Sequence, residues 1–134
     1  MPINIDKALG IFPQALTLRA RRAEIIAANM ANADTPNYKA RDIDFKGALR
    51  QATDSGSNYG ATLKRTDARH LTAGGDAMSE AVKYRIPHQS SLDGNTVDAE
   101  TEQAEFTRNA VQYQATLTFL SGRIRGLMTA IRGD

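Results

Sequence analysis

The chain is predicted to be mainly α-helical: an antiparallel coiled-coil pair of N- and C-terminal helices, joined by a long central segment that is partly disordered or carries short strands. Three observations predict this. Apolar residues near each end recur at alternating spacings of four and three, the mark of a helix packed along another helix. The residues between the two ends hold no such period. The composition, 41% hydrophobic with only 6% aromatic residues, suits stripes of Ala, Leu and Ile better than a thick globular core. At 134 residues the chain fits a single elongated domain.

The N-terminal stripe reads Ile5, Leu9, Phe12, Leu16, Ala23, Ile26 and Met30, with Arg19 as its one charged interruption. Gly10 and Pro13 argue against one straight helix from residue 5. Pro13 is comfortable in a first turn, so the regular helix is expected over residues 12–32, after a short turn or kinked extension. Pro36 lacks a backbone N–H and drives Thr35 out of the helical region, so the helix stops before it. Asn32, Asp34 and Thr35 can bond nearby backbone and so cap or turn, and Asn37 tolerates a left-handed conformation. Residues 38–45 then alternate large and charged side chains, which makes residues 33–45 a turn followed by an extended arm.

Residues 46–98 read as a flexible central region. Between residues 50 and 75 stand four glycines among many Ser, Thr, Asp and Asn, a composition poor in buried anchors. Val82, Tyr84 and Ile86 alternate as a short strand that Pro87 ends, and Asp93-Gly94-Asn95 is a turn.

The C-terminal stripe is the most regular feature: Phe106, Ala110, Tyr113, Leu117, Leu120, Ile124, Leu127 and Ile131, spaced 4-3-4-3-4-3-4. A helix over residues 100–131 would be about 45 Å long. Asp98 or Thr101 can cap it, and Glu100, Glu102 and Glu105 sit where the helix dipole favours acids. Arg123, Arg125 and Arg132 lie toward the opposite pole, and Gly133 can stop the helix. Gly122 and Gly126 lower helix propensity and permit close approach of another helix. The two stripes are predicted to pair, and because the helices differ in length, part of the C-terminal stripe is left for an assembly partner.

Few residues offer chemistry. There is no cysteine, hence no disulfide, thiolate or thiol nucleophile. Asp42 and Asp44 share a side of an extended segment but have no nucleophile, His or metal ligand beside them. A solvated or pairing face explains them better than acid–base catalysis. His70 and His88 are isolated and read as surface residues. Residues 93–98 lack the alternating ligands and terminal Glu of a calcium loop, and Gly74-Gly75 lacks the Lys-Ser/Thr of a phosphate loop. Arg19, Arg21 and Arg22 form a basic cluster without stacking aromatics, and the net charge is only +2. No enzyme activity, cofactor, metal site or nucleic-acid partner is expected. No apolar run approaches the ~18 residues of a bilayer span, so no direct membrane insertion is expected. A basic stretch followed by an apolar one is also missing from the first residues. Read plainly, that places the chain in the cytoplasm.

Residues 27–45 change that placement. Asn29, Ala31, Asn32, Thr35, Pro36, Tyr38 and Phe45 resemble the N-terminal signature of the bacterial flagellar rod, hook and hook-associated axial proteins. Asn37 stands where that family usually has Gly, and both residues reach positive φ. Residues 84–87 and 91–98, followed by the striped tail, are similar to the proximal rod members of the family, and residues 47–80 match poorly. The resemblance implies a structural subunit of the flagellar basal body, at the base of the rod in the periplasm. It implies other rod subunits, the MS ring and its rod adaptor as partners. It also implies export by the flagellar type III apparatus without a cleaved signal peptide, and the uncovered stripe adds an expectation of self-association. Such substrates resemble one another in a Phe-x-x-x-apolar element docked on the export gate, which here would be Phe45 and Leu49. A cytoplasmic helical-hairpin adaptor or a basic helical DNA-binding protein fits the stripes but leaves residues 27–45 unexplained.

Overall fold

The computed structural model describes residues 5–55, 82–87 and 91–133. The fold is mainly α. Helix α1, Ile5–Leu9, ends at Gly10, whose φ of +66° turns the chain into α2, Phe12–Ala31, with Pro13 in its first turn. A two-stranded antiparallel sheet follows, made of β1, Arg41–Ile43, and β2, Val82–Tyr84. Its register pairs Arg41 with Tyr84, Asp42 with Lys83 and Ile43 with Val82. Between the strands in sequence lies α3, Phe45–Ser55. The last element is α4, Ala99–Arg132.

The long helix is bounded as its sequence dictates. The Asp98 carboxylate accepts the N–H groups of Glu100 and Thr101 at 3.1 and 3.3 Å, and Gly133 closes the end in the left-handed region. With 34 residues against 20 for α2, α4 is about 20 Å the longer at ~1.5 Å per residue.

Helix α2 is the hub. One side of it meets α3 and the sheet, where Leu18, Ile43 and Ala48 form a core joined by Ile25, Phe45, Leu49 and Val82. Another side runs antiparallel along α4. Asn29 meets Glu102, Arg22 meets Glu105, Arg19 meets Gln112 and Asn109, Phe12 stacks near Phe119, and Arg123 donates to the Ala8 carbonyl of α1. Residue numbers fall on α4 as they rise on α2, which fixes the direction.

Two features differ from the expectation. Helix α3 occupies residues placed in the flexible region, because Asp44 caps it: its carboxylate accepts the Gly47 N–H at 3.1 Å. Phe45, Ala48 and Leu49 then share the face that meets the core. The second difference concerns α4. The residues that meet α2 or α1 in the contacts above are Glu102, Glu105, Asn109, Gln112, Phe119 and Arg123, which with the buried Thr116 follow a 3-4-3-4-3-4 spacing and are mostly polar. Glu102, Asn109 and Thr116 are its buried residues.

Candidate functional site

The junction after α2 is built on two asparagines. Asn29 is fully buried and uses every hydrogen-bonding atom of its amide. Its Nδ2 donates to the Arg41 carbonyl at 2.7 Å and to Glu102 Oε2 at 3.2 Å. Its Oδ1 accepts the Arg41 N–H at 3.1 Å and the Tyr38 hydroxyl at 3.4 Å. One side chain thus ties the last turn of α2 to β1 and to α4. Asn32 closes the helix: its Nδ2 donates to the Ala28 carbonyl and its Oδ1 accepts from the Thr35 hydroxyl. Asn37 then turns the chain at φ +61° and donates its N–H to the Asp93 carbonyl at 2.9 Å.

Asn95 approaches the same turn from the second motif. Its Nδ2 lies within hydrogen-bond distance of the carbonyls of Asn32, Ala33 and Thr35, at 3.0, 2.7 and 2.9 Å. They include the carbonyl of Asn32, the residue that caps α2. Its Oδ1 accepts the Val97 N–H at 2.7 Å. Alongside, the Thr96 N–H donates to the Tyr38 carbonyl at 3.0 Å and the Thr96 hydroxyl accepts the Ala40 N–H at 2.8 Å. Two sequence motifs some sixty residues apart are therefore one structural unit. Gly94 (φ +74°) packs so closely that a Cβ there would stand 2.6 Å from Asn37 Oδ1. Gly94→Ala is expected to cost about 1–2 kcal/mol. Asn37→Gly, which keeps the backbone geometry, is expected to stay within about 0.5 kcal/mol of the parent. Urea unfolding of both variants checks this.

Charged side chains extend the junction. Arg22 grips Asp42 with two bonds of 2.8 Å and reaches Glu105 at 2.9 Å. Arg85 bridges Asp42 at 2.8 Å and Glu102 at 2.5 Å. Arg108 adds a bond to Glu105 at 2.9 Å. The network joins α2, β1, the residue after β2, and α4. Burial alone would raise the Asp42 pKa, but the Arg22 and Arg85 guanidiniums and the Ile43 N–H hold it below the usual carboxylate value. Arg22 is shifted up, first by its hydrogen bond to Asp42. Glu102, only 1% exposed, is pushed up by burial against the pull of Asn29 and Arg85.

The signs give a pH profile. Because the Asp42 pKa is depressed on folding, its contribution is complete above the unfolded value of about 3.9 and is lost as pH falls through the folded one. The Glu102 pKa is raised, so stability increases modestly as pH drops from neutral toward about 4.3, where the unfolded chain also protonates. A maximum near pH 4, between these two unfolded values, is expected in thermal unfolding. Asp42→Asn should flatten the acid limb, and Glu102→Gln should remove the rise.

The N-terminal stripe straddles two environments. Ile26 is fully buried, Leu9, Phe12, Leu16 and Ala23 are half-buried, and Ile5 and Met30 are exposed. On the C-terminal stripe, Tyr113, Leu117 and Leu120 are half-buried, whereas Phe106, Ala110, Ile124, Leu127 and Ile131 are exposed. This stripe lies roughly 100° round α4 from the line that faces α2, at ~100° per residue. From residue 121 to residue 133 every side chain is exposed, Ile131 at 84%. Of the signature, Ala31, Thr35, Pro36 and Asn37 are exposed and Tyr38 is half-buried. Phe45 and Leu49 are half-buried against the core, and the Arg19 guanidinium lies over the Phe45 ring, 4.4 Å from its centroid.

Other singled-out residues are engaged within the fold. In the basic cluster, Arg21 pairs with Glu24, Arg22 with Asp42 and Glu105, and Arg19 with Gln112. Asp44 pairs with Lys83 as well as capping α3. Among the described residues, nothing beyond the helix's own neighbouring backbone lies within 4 Å of where a Cβ would stand at Gly122 or Gly126. His70, His88 and Gly74-Gly75 lie outside the described residues, as do residues 56–81 and 88–90 of the central region. Among the described residues, no group of three His, Cys, Asp or Glu side chains is placed to hold a metal ion. No described helix is long and apolar enough to cross a membrane.

Sequence reading missed Asn95, Arg85, Glu102 and Glu105 as site residues. Asn95 sits in a turn signal, Asp-Gly-Asn, that predicts the bend but not its partner. The charges carry no local signal, because their partners lie 17 to 83 residues away.

Comparison with known proteins places this junction in a family. Residues 14–39, the stretch from α2 through the turn, match the model of the flagella basal body rod protein family. Relatives match over nearly the whole length. A flagellar basal body rod protein FlgB of Cereibacter sphaeroides is 50% identical over 126 residues, covering 94% of each chain. The FlgB of Escherichia coli K12 is 45% identical over 132 residues, 96% of each, and that of Aeromonas hydrophila is 44% identical over 135 residues, 100% of this chain and 99% of its own. Identity at this level over nearly the whole chain means that the chain belongs to the FlgB family, structural components of the flagellar basal body rod.

Proposed function

We propose that the chain is a subunit of the proximal rod that assembles by helix packing at the base of the flagellum. Below, it meets the MS ring and its rod adaptor; above, it meets other rod subunits. In this reading the subunit reaches the rod through the flagellar type III apparatus without losing a signal peptide, with Phe45 and Leu49 as the gate contact, and neither enzyme activity nor nucleic acid enters its work. The observation that carries the reading is the apolar stripe of α4. Ile124, Leu127, Met128 and Ile131 are exposed in the single chain, on a helix that outruns its intramolecular partner. A stripe of this kind is costly in water and is resolved by association. Its heptad spacing suits helices, since a 3.5-residue period is what a supercoiled helical partner requires.

Ile124→Glu/Leu127→Glu/Ile131→Glu tests this. The stripe is exposed, so the purified subunit should keep its unfolding midpoint within about 0.5 kcal/mol of the parent. In a flagellated cell whose own copy is deleted, the variant should fail to restore rods and motility. Restoration to parental swimming would remove the stripe from assembly.

A further inference from the structure

We propose that the polar seam of α4 is a register key that keeps the apolar stripe turned away from α2. Helix α4 carries two seams of the same heptad kind. One holds Glu102, Glu105, Asn109, Gln112 and Thr116; the other is the apolar stripe from Phe106 to Ile131. Burial of apolar surface alone would turn the second toward α2, which offers Phe12, Ala15 and Ile26 to receive it. The chain instead buries Glu102, Asn109 and Thr116, leaving Phe106 and Ala110 exposed and Tyr113, Leu117 and Leu120 only half-buried.

Partners on α2 and just after β2 explain the choice. Arg22 takes Glu105, Arg85 takes Glu102, Asn29 donates to Glu102, Arg19 donates to Gln112, and Asn109 donates to the Arg19 carbonyl. Rotating α4 by the roughly 100° that separates the seams would strip all five contacts at once. It would leave the buried amide of Asn29 without Glu102, its partner on α4. Buried polar pairs add little net stability compared with apolar packing, but they discriminate strongly among registers, because every wrong register strands a charge. The key therefore prevents the subunit from satisfying its own stripe. Exposure of Phe106 and Ala110, which lie alongside α2, is then a property imposed by Glu102, Glu105, Asn109 and Gln112, which act as positioning residues, whereas Ile124, Leu127 and Ile131 are exposed because α4 outruns α2. This inference rests on the reading of the stripe as an assembly surface only for its purpose; the register claim stands on the single chain.

The chain lacks cysteine, so paired cysteines report the register directly. Ala15 and Thr116 are both buried on the facing line, whereas Leu117 belongs to the stripe. In the parent, Ala15→Cys/Thr116→Cys should cross-link at least tenfold faster than Ala15→Cys/Leu117→Cys. Adding Glu102→Leu/Glu105→Leu/Asn109→Leu/Gln112→Leu, which leaves Arg22 and Arg85 paired with Asp42, should reduce or invert that preference. It should also lower binding of a hydrophobic dye and raise the unfolding midpoint, which loss of a merely structural contact would not do. Should the quadruple variant not fold, Asn109→Leu/Gln112→Leu decides: a threefold or greater fall in preference supports the key. An unchanged tenfold preference in the variants, or no preference in the parent, overturns it. Normal rods from the stripe variant above, together with a collapsed register preference here, would retire the assembly reading and leave the key in place.

Discussion

Asn95→Ala is expected to lower the stability of the subunit by about 3 kcal/mol. The side chain is buried, and its Nδ2 faces three carbonyls at the end of α2 while its Oδ1 holds the Val97 N–H. Alanine cannot replace any of these contacts, and a buried polar group left without a partner costs ~1–3 kcal/mol. Water can reach part of the vacated site, which keeps the total below the sum of the separate penalties. Asn95→Asp should recover little, since a carboxylate keeps the acceptor to Val97 but meets the same carbonyls as like partial charges. Urea denaturation by circular dichroism gives the difference. The loss should fall mainly on the folding equilibrium of residues 29–45 and 91–98, because the α2–α4 contact at Arg19 and Gln112 lies far along the helix from this turn.

Asn29→Asp is isosteric and is expected to be nearly as damaging, about 3 kcal/mol at neutral pH. Only an amide can donate to both the Arg41 carbonyl and Glu102 while accepting from Arg41 and Tyr38. The introduced carboxylate would instead face Glu102 as a like charge with little solvent. Two carboxylates so placed raise a pKa, the native state then binds more protons than the unfolded one, and the deficit should shrink as pH falls from 7 toward 5. Glu102→Gln should rescue the variant, since its amide can donate to the new carboxylate. A double-mutant cycle should give a coupling of at least about 1 kcal/mol. Additivity would mean that the two residues do not meet.

The sequence made the two terminal helices legible because heptad stripes, Pro13, Pro36, Asp98 and Gly133 each act through local geometry. The signature turn was legible for the same reason: Asn37 reaches positive φ at the position where the chain needs it. Helix α3 was harder to see. Its cap at Asp44 and its Phe45, Ala48, Leu49 face were present, but eleven residues leading into Ser- and Gly-rich sequence give too short a period to separate from a loop. The direction of the α4 stripe was not legible at all. Spacing tells which residues share a face, and α4 has two faces with heptad spacing. Which one turns inward depends on Arg22, Arg85 and Asn29, whose positions relative to α4 exist only in the folded chain. The Asn95 contacts were hidden likewise, since a turn signal names the bend and not the carbonyls it meets.

Energetically the subunit is divided. Residues 29–45, 82–87 and 91–109 hold most of the long-range polar contacts, and the α2–α3–sheet core supplies the apolar burial. The far half of α4 has little of either, and local stability follows such contacts. Rod assembly, in the proposed reading, covers that half.

Amide hydrogen exchange on the free subunit tests this division most directly. The account predicts slow exchange at the N–H groups of Asn37, Ala40, Arg41, Arg85 and Thr96, which donate across the junction, at rates within tenfold of Ile26 in α2. Amides of residues 124–132 should exchange at least a hundredfold faster, despite being helical. Uniform protection along α4, or junction amides that exchange as fast as its far end, would contradict it.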